Sequence, residues 1–242
     1  MIAHWFSINA PHCHDWIKAV PMTQSLTLSD ADYEFAVRMR LNLPPDDFIL
    51  DSTTCSCNFT LSLDPYHSLS CSKISKIERH NHVRDLFLQC AERINVTCSK
   101  EPSGWCLFDD RRPDLLFHFI HMQTLADVTI IHPTAKSNLL NAKFKGRICK
   151  EAEHFKMEKY KTLTIDKPTV DFVPLVFTTA GEWGQQATEF INKLAVLSTD
   201  DDCPYDPQNT SHELTHGIAV AIQRGNARMY RENLMNSTLQ CN

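Results

Sequence analysis

The chain has 242 residues, 43% apolar and 22% charged, with a formal net charge of −5. That balance is ordinary for a folded soluble protein and suits one large domain or a domain with appendages. No run approaches the roughly 18 consecutive apolar residues of a membrane span. The ten cysteines would fit a secreted disulfide scaffold, but residues 1–17 are broken by histidines and lack a basic leader. They are therefore read as reduced thiols of an intracellular protein, and the sequons at Asn58, Asn95, Asn209 and Asn236 as chance.

Residues 1–50 read as a helical lead-in. Ser29 and Asp32 form a Ser/Thr-x-x-Asp/Glu helix start, and Pro44-Pro45 closes the helix. Residues 51–75 carry Cys55-x-Cys57, then nine residues, His67, three residues and Cys71, four zinc-type ligands within 17 residues. Zinc takes thiolate and imidazole in a tetrahedral cage, so this segment reads as zinc-knuckle-like with a structural Zn²⁺. The Cys-x-Cys bite is tighter than the common Cys-x2-Cys. The competing reading is buried thiols beside a surface histidine.

Residues 76–199 read as an α/β core, a small mixed sheet flanked by helices. Over 77–93 the apolar positions Val83, Leu86, Phe87, Cys90, Ala91 and Ile94 recur at helical spacing, leaving Arg79, His82, Arg84 and Asp85 on the opposite side. Glu78 and Glu92 are candidate extra acids, read first as surface charges, and Glu101, before Pro102, closes a first strand near the proposed catalytic edge. The runs 115–119 and 128–131 read as buried strands, with Asp114 and Asp127 at or near their starts. Twelve residues separate the two acids, which suits an antiparallel pair joined by a turn at 118–124. Aspartate is depleted from strands, and a charge in an apolar run needs a partner or a metal.

Residues 147–166 contain no Gly or Pro and read as helix, with Lys156 and Lys159 on neighbouring positions. A last strand at 171–178 and a helix at 185–197 complete this core. Residues 200–242 read as an Asp/Pro-rich linker and an amphipathic helix at 212–235 with an Arg224, Arg228, Arg231 row, assigned first to packing. No P-loop or Gly-x-Gly-x-x-Gly occurs, so no small-molecule cofactor is expected.

Two carboxylates on adjacent strands can share a hard divalent cation, and a lysine beside it can orient or deprotonate water or stabilise charge on a phosphate. With Pro113-Asp114, Asp127 and a downstream lysine, the chain resembles the PD-(D/E)xK nuclease signature. From about Cys55 to Trp183 it resembles more closely the restriction-like endonuclease region of site-specific non-LTR retrotransposon polyproteins. The matching pieces are Cys55, Cys57, His67, Cys71, then Arg79-His80-Asn81, Glu101-Pro102-Ser103, Arg112-Pro113-Asp114-Leu115, Asp127, and Lys156 four before Tyr160. The usual lysine position, two after the second acid, is Thr129, so Lys156 on the next helix would substitute.

The resemblance implies a restriction-endonuclease-like core and an Mg²⁺- or Mn²⁺-dependent DNA endonuclease that nicks target DNA to prime reverse transcription. Asp114 and Asp127 would hold the metal and Lys156 would act on water, with Lys159 the alternative. Arg79, His80, Arg112 and Lys159 would contact nucleic acid. Partners would be DNA and the element's own RNA, in the nucleus, with oligomeric state left open. The competing function is a zinc-containing nucleic-acid-binding module that no longer cuts. The acidic net charge counts against nucleic acid, yet residues 136–161 hold eight basic residues against three glutamates, a positive stretch beside the proposed site.

Overall fold

Strand β3, Gln123–Ile131, is the longest of the first three strands and sits between its neighbours in a four-stranded sheet of order β1-β2-β3-β4. The computed structural model describes residues 2–46, 53–105, 112–165, 167–197 and 207–239. Arg111 and the linker at 200–206 lie outside the described residues. Strands β1 (Thr97–Lys100) and β2 (Leu115–His118) pair antiparallel, as do β2 and β3, whereas β4 (Val170–Thr178) runs parallel to β3. A parallel pair needs a long crossover, supplied here by α5 (Arg147–Tyr160). Pro174 cannot donate to a ladder, and it sits on the edge strand β4, where that loss is tolerated.

Period-two alternation divides the sheet's side chains between two cores. Leu115, Phe117, Ala126, Val128, Val173, Leu175 and Phe177 face α4 (Ile77–Arg93), α6 (Gln185–Leu197) and α7 (Pro207–Leu239). Leu116, Leu125 and Phe172 face the other way, onto Tyr160 and Leu163 at the end of α5. Asp127, two residues from Leu125, shares that second face. Phe87 on α4 is fully buried among Phe177 and Phe190. Phe87→Ala is expected to lower unfolding free energy by about 3–5 kcal/mol, read from the denaturant midpoint at unchanged slope.

The lead-in contains α1 (Ile2–Ile8), α2 (Asp15–Lys18) and α3 (Asp30–Arg40). Ser29 caps α3 as its pattern predicted, its hydroxyl accepting from the Asp32 amide at 3.2 Å. The last helix, α7, is the hub of the helical layer, packing on α2, α3, α4 and α6. Its arginines are engaged. Arg224 donates to backbone carbonyls of Gln24 and Thr27, Arg228 pairs with Glu78 and Glu232, and Arg231 pairs with Asp32.

The helix α4 corrects one expectation. Its apolar stripe packs as its periodicity predicts, but Arg79 and Arg84 do not lie on a solvated side; they are 2% and 6% exposed. The helix α7 covers Arg79, while Arg84 is held by Asp85 and by Glu101 after β1. At Gly225 of α7 an added Cβ would lie 2.4 Å from Arg79 Cγ, so only glycine lets the arginine stem cross so closely. Arg79 Nη1 then donates to Asn226 Oδ1 at 2.7 Å. The seven cysteines among the described residues are free thiols. No helix among those residues is long and apolar enough to cross a membrane.

Candidate metal and phosphate site

The β2–β3 register pairs Leu115 with Ala126, so Asp114 stands one step further out, opposite Asp127. Beyond that point β2 no longer covers β3. Asp114 Oδ2 fills the gap by accepting from the Val128 amide at 2.6 Å, so it caps the strand that β2 leaves behind. The same oxygen lies 3.0 Å from His80 Nε2 on α4, and Oδ1 has no partner among the described residues. Burial opposes a charge on His80, but the hydrogen bond and charge of Asp114 outweigh it and raise the imidazole's pKa.

Asp127 is 5% exposed and held from α5. Lys156 Nζ donates to its Oδ2 at 2.6 Å, and the buried Tyr160 hydroxyl donates to its Oδ1 at 2.6 Å. The four-residue spacing of Lys156 and Tyr160 puts both on one side of α5, which is why both reach one carboxylate. Thr129, at the usual lysine position, adds a longer contact of 3.4 Å to Oδ2.

Asp114, Asp127 and Lys156 thus line one open cavity of about 320 Å³, together with Lys76, Arg79, His80 and Val128, Thr129 and Ile130. The other predicted residues fall differently. Lys159 is not in the cavity lining; its Nζ lies 3.2 Å from the Tyr160 hydroxyl and above that ring. Arg112 is exposed and, among the described residues, contributes its carbonyl, which Tyr160 reaches at 3.2 Å. Glu101 follows β1 and continues the ladder to the Asp114 carbonyl, but Arg84 holds its carboxylate at 2.8 Å, away from the cavity lining. Arg79 corrects the expectation of a surface phosphate contact, because its guanidinium is a buried brace between α4 and α7. Lys136, Lys143, Lys145, Arg147, Lys150 and Lys161 are exposed, so the basic stretch is a surface. Lys76 was missed in the sequence, where only its place just before α4 marked it.

Cys55, Cys57, His67 and Cys71 form the second cluster. Their ligand atoms all lie within 4.8 Å of one another. Bonds of about 2.0–2.3 Å in a tetrahedron separate ligands by about 3.5–3.8 Å, so the four fit a metal ion such as zinc. The tight bite closes through a turn in which the Asn58 amide donates to the Cys55 carbonyl and Asn58 adopts φ 67°, a conformation asparagine tolerates. Phe59 stacks on His67 at 4.2 Å and fixes its ring. Burial pushes the Cys55 thiol up to about 11 and lowers the pKa of His67. At Cys57 burial also opposes charge, but the Phe59 amide and the neighbouring thiols lower the pKa. Leu61, Leu69 and Ile74 pack this cluster against Phe35 of α3 and Tyr230 of α7.

Away from both clusters, Glu182 is buried and its pKa rises to about 7, chiefly through burial, with the Gly146 amide acting against the shift. A carboxyl that ionises less readily folded than unfolded favours the fold while protonated. Its contribution is full below about pH 4.5 and is lost as pH rises through about 7. Glu182→Gln is therefore expected to raise Tm at pH 8 and to leave it nearly unchanged at pH 4, as thermal melts at the two pH values would show.

Compared with models of known protein families and with curated proteins, the chain matches none.

Proposed function

We propose that the chain is a divalent-metal-dependent DNA endonuclease of the restriction-like type found in non-LTR retrotransposons. The observation that supports this reading is the meeting of Asp114, Asp127 and Lys156 at one cavity on the rim of a mixed sheet. The donor set fits Mg²⁺ or Mn²⁺, being two hard carboxylates on neighbouring strands. Bound there, such an ion would neutralise charge growing on the phosphoryl oxygens.

The protein's own groups would do the rest. The Val128 amide and His80 orient Asp114, and the Tyr160 hydroxyl orients Asp127. Lys156 bonds Asp127 at 2.6 Å, within reach of a water that the same carboxylate would hold. The exposed lysines of 136–161 would track the phosphate backbone, and the cysteine–histidine cluster, carrying Zn²⁺, would brace the lead-in against the core. In this reading the DNA is chromosomal and the protein nuclear.

Nicking of supercoiled plasmid with Mg²⁺ tests the proposal, wild type against Asp114→Ala. Open circles formed by wild type and lost in the variant are the expected outcome. DNA binding with no nicking by wild type would leave the non-cutting binding module as the function.

A further inference from the structure

The wall of the catalytic cavity opposite α5 is unexplained by the metal chemistry. It belongs to the start of α4, where Lys76 occupies the cap position without a capping bond of its own and Ser75 Oγ accepts only the first amide, that of Ile77, at 3.4 Å, leaving the next amides of the turn without a side-chain partner among the described residues. Amides at such an end carry partial positive charge and favour an anion. Lys76 Nζ donates only to the Ser70 carbonyl, at 3.3 Å, and has no carboxylate partner among the described residues. Arg79 lies one turn on, 2% exposed, its Nε buried without any hydrogen-bond partner. Its guanidinium binds the neutral Asn226 and makes no ion pair with a carboxylate among the described residues; Asp32, Glu78 and Glu232, which share its other cavity, are paired with Arg231 and Arg228. Burial lowers its pKa to about 10, and burial together with the Arg79 charge lowers that of Lys76.

Buried cations normally have a counter-charge. The two carboxylates lining this cavity are already engaged, Asp114 by His80 and Asp127 by Lys156. Lys76, Arg79 and Lys156 give the lining three basic side chains against those two acidic ones. A divalent cation on the acids would widen that excess. The missing partner is an anion that can sit against the start of α4 while its centre approaches the acids, and a phosphodiester has that form.

We infer that Lys76 and the open N-terminus of α4 form a phosphate subsite, taking the non-bridging oxygens of a DNA phosphodiester from the α4 side. Arg79 is the fixed charge behind it, braced by Asn226. The inference rests on the nuclease reading for the identity of the substrate, and it adds the residue that holds the phosphate.

The test is anisotropy of a short fluorescent duplex, with Ca²⁺ replacing Mg²⁺ to keep it uncut, across a series of salt concentrations. Lys76→Gln is the main variant, because its amide can still reach the Ser70 carbonyl and the knuckle stays anchored. Lys76→Arg and Lys18→Ala, on the distant α2, are the controls. Each phosphate contact contributes about −0.9 to the slope of log K against log salt. Lys76→Gln is expected to flatten the slope by about one contact and to raise Kd about tenfold, while both controls keep the wild-type slope.

An unchanged slope in folded Lys76→Gln overturns the subsite, even if wild type nicks plasmid. If the slope flattens but wild type never nicks, the subsite stands and the endonuclease reading falls. If wild type binds no DNA, both fall.

Discussion

Asp127→Asn is expected to reduce Mg²⁺-dependent plasmid nicking about a thousandfold while leaving the fold assembled. The substitution keeps the side chain's shape and removes the charge on which two donors converge, Lys156 Nζ and the Tyr160 hydroxyl, each at 2.6 Å. Losing a single group that stabilises developing charge costs about 10²–10³ in rate, and here the same change weakens cation binding and leaves Lys156 without its partner. Tyr160→Phe leaves the Asp127 charge in place and removes the hydrogen bond that orients it, with the longer contacts to Arg112 and Lys159, and should cost about tenfold. Single-turnover nicking with circular dichroism of each variant separates this pattern from unfolding. Equal, small losses in both variants would mean that Asp127 is no more than a buried structural acid.

The second large effect concerns the cysteine–histidine cluster. Cys71 is 2% exposed, with its sulfur 3.5 Å from that of Cys55. Structural zinc in such a cage is worth about 10 kcal/mol or more in small domains. In a chain of this size, loss of even about 4 kcal/mol lowers Tm by about 8–16 °C. Chelation, or Cys71→Ser, is expected to lower the melting temperature at least that far, because the cluster shares its core with Phe35 of α3 and Tyr230 of α7. Metal analysis of the purified chain should find one zinc per molecule, and melts with and without chelator should differ. A melting curve that ignores the chelator would reduce the cluster to packed thiols.

Local signals in the sequence were legible wherever one element decides them. The Ser29 cap, the gap-free helix α5, the apolar stripe of α4 and the strand before Trp183 all follow from spacing and residue type. Strand β3 begins at Gln123, earlier than the apolar run at 128–131, because Gln123 and Thr124 pair with β2 and β4 despite being polar. Position along the chain gave no warning of that pairing. Nor could a helical wheel show that Arg79 is buried. The helix that covers it passes at Gly225 and Asn226, whose nearness is a property of the packed fold. Lys76 was overlooked for the same reason, since a lysine before a helix is ordinary until the helix end opens into a cavity holding two acids. At the site, Lys156 and Tyr160 were legible because a four-residue spacing on a helix already commits both side chains to one face. The Asp114–Val128 contact was not, because it depends on β2 ending where β3 continues.

In the proposed reading Asp114 and Asp127 act as one receptor for a single divalent ion. Electron paramagnetic resonance of Mn²⁺ titrated into the zinc-loaded chain reads that directly. One bound Mn²⁺ is expected per wild-type molecule, lost in Asp114→Asn and in Asp127→Asn alike and kept in Lys76→Gln. Mn²⁺ bound equally by wild type and both aspartate variants, or by none of them, would contradict it.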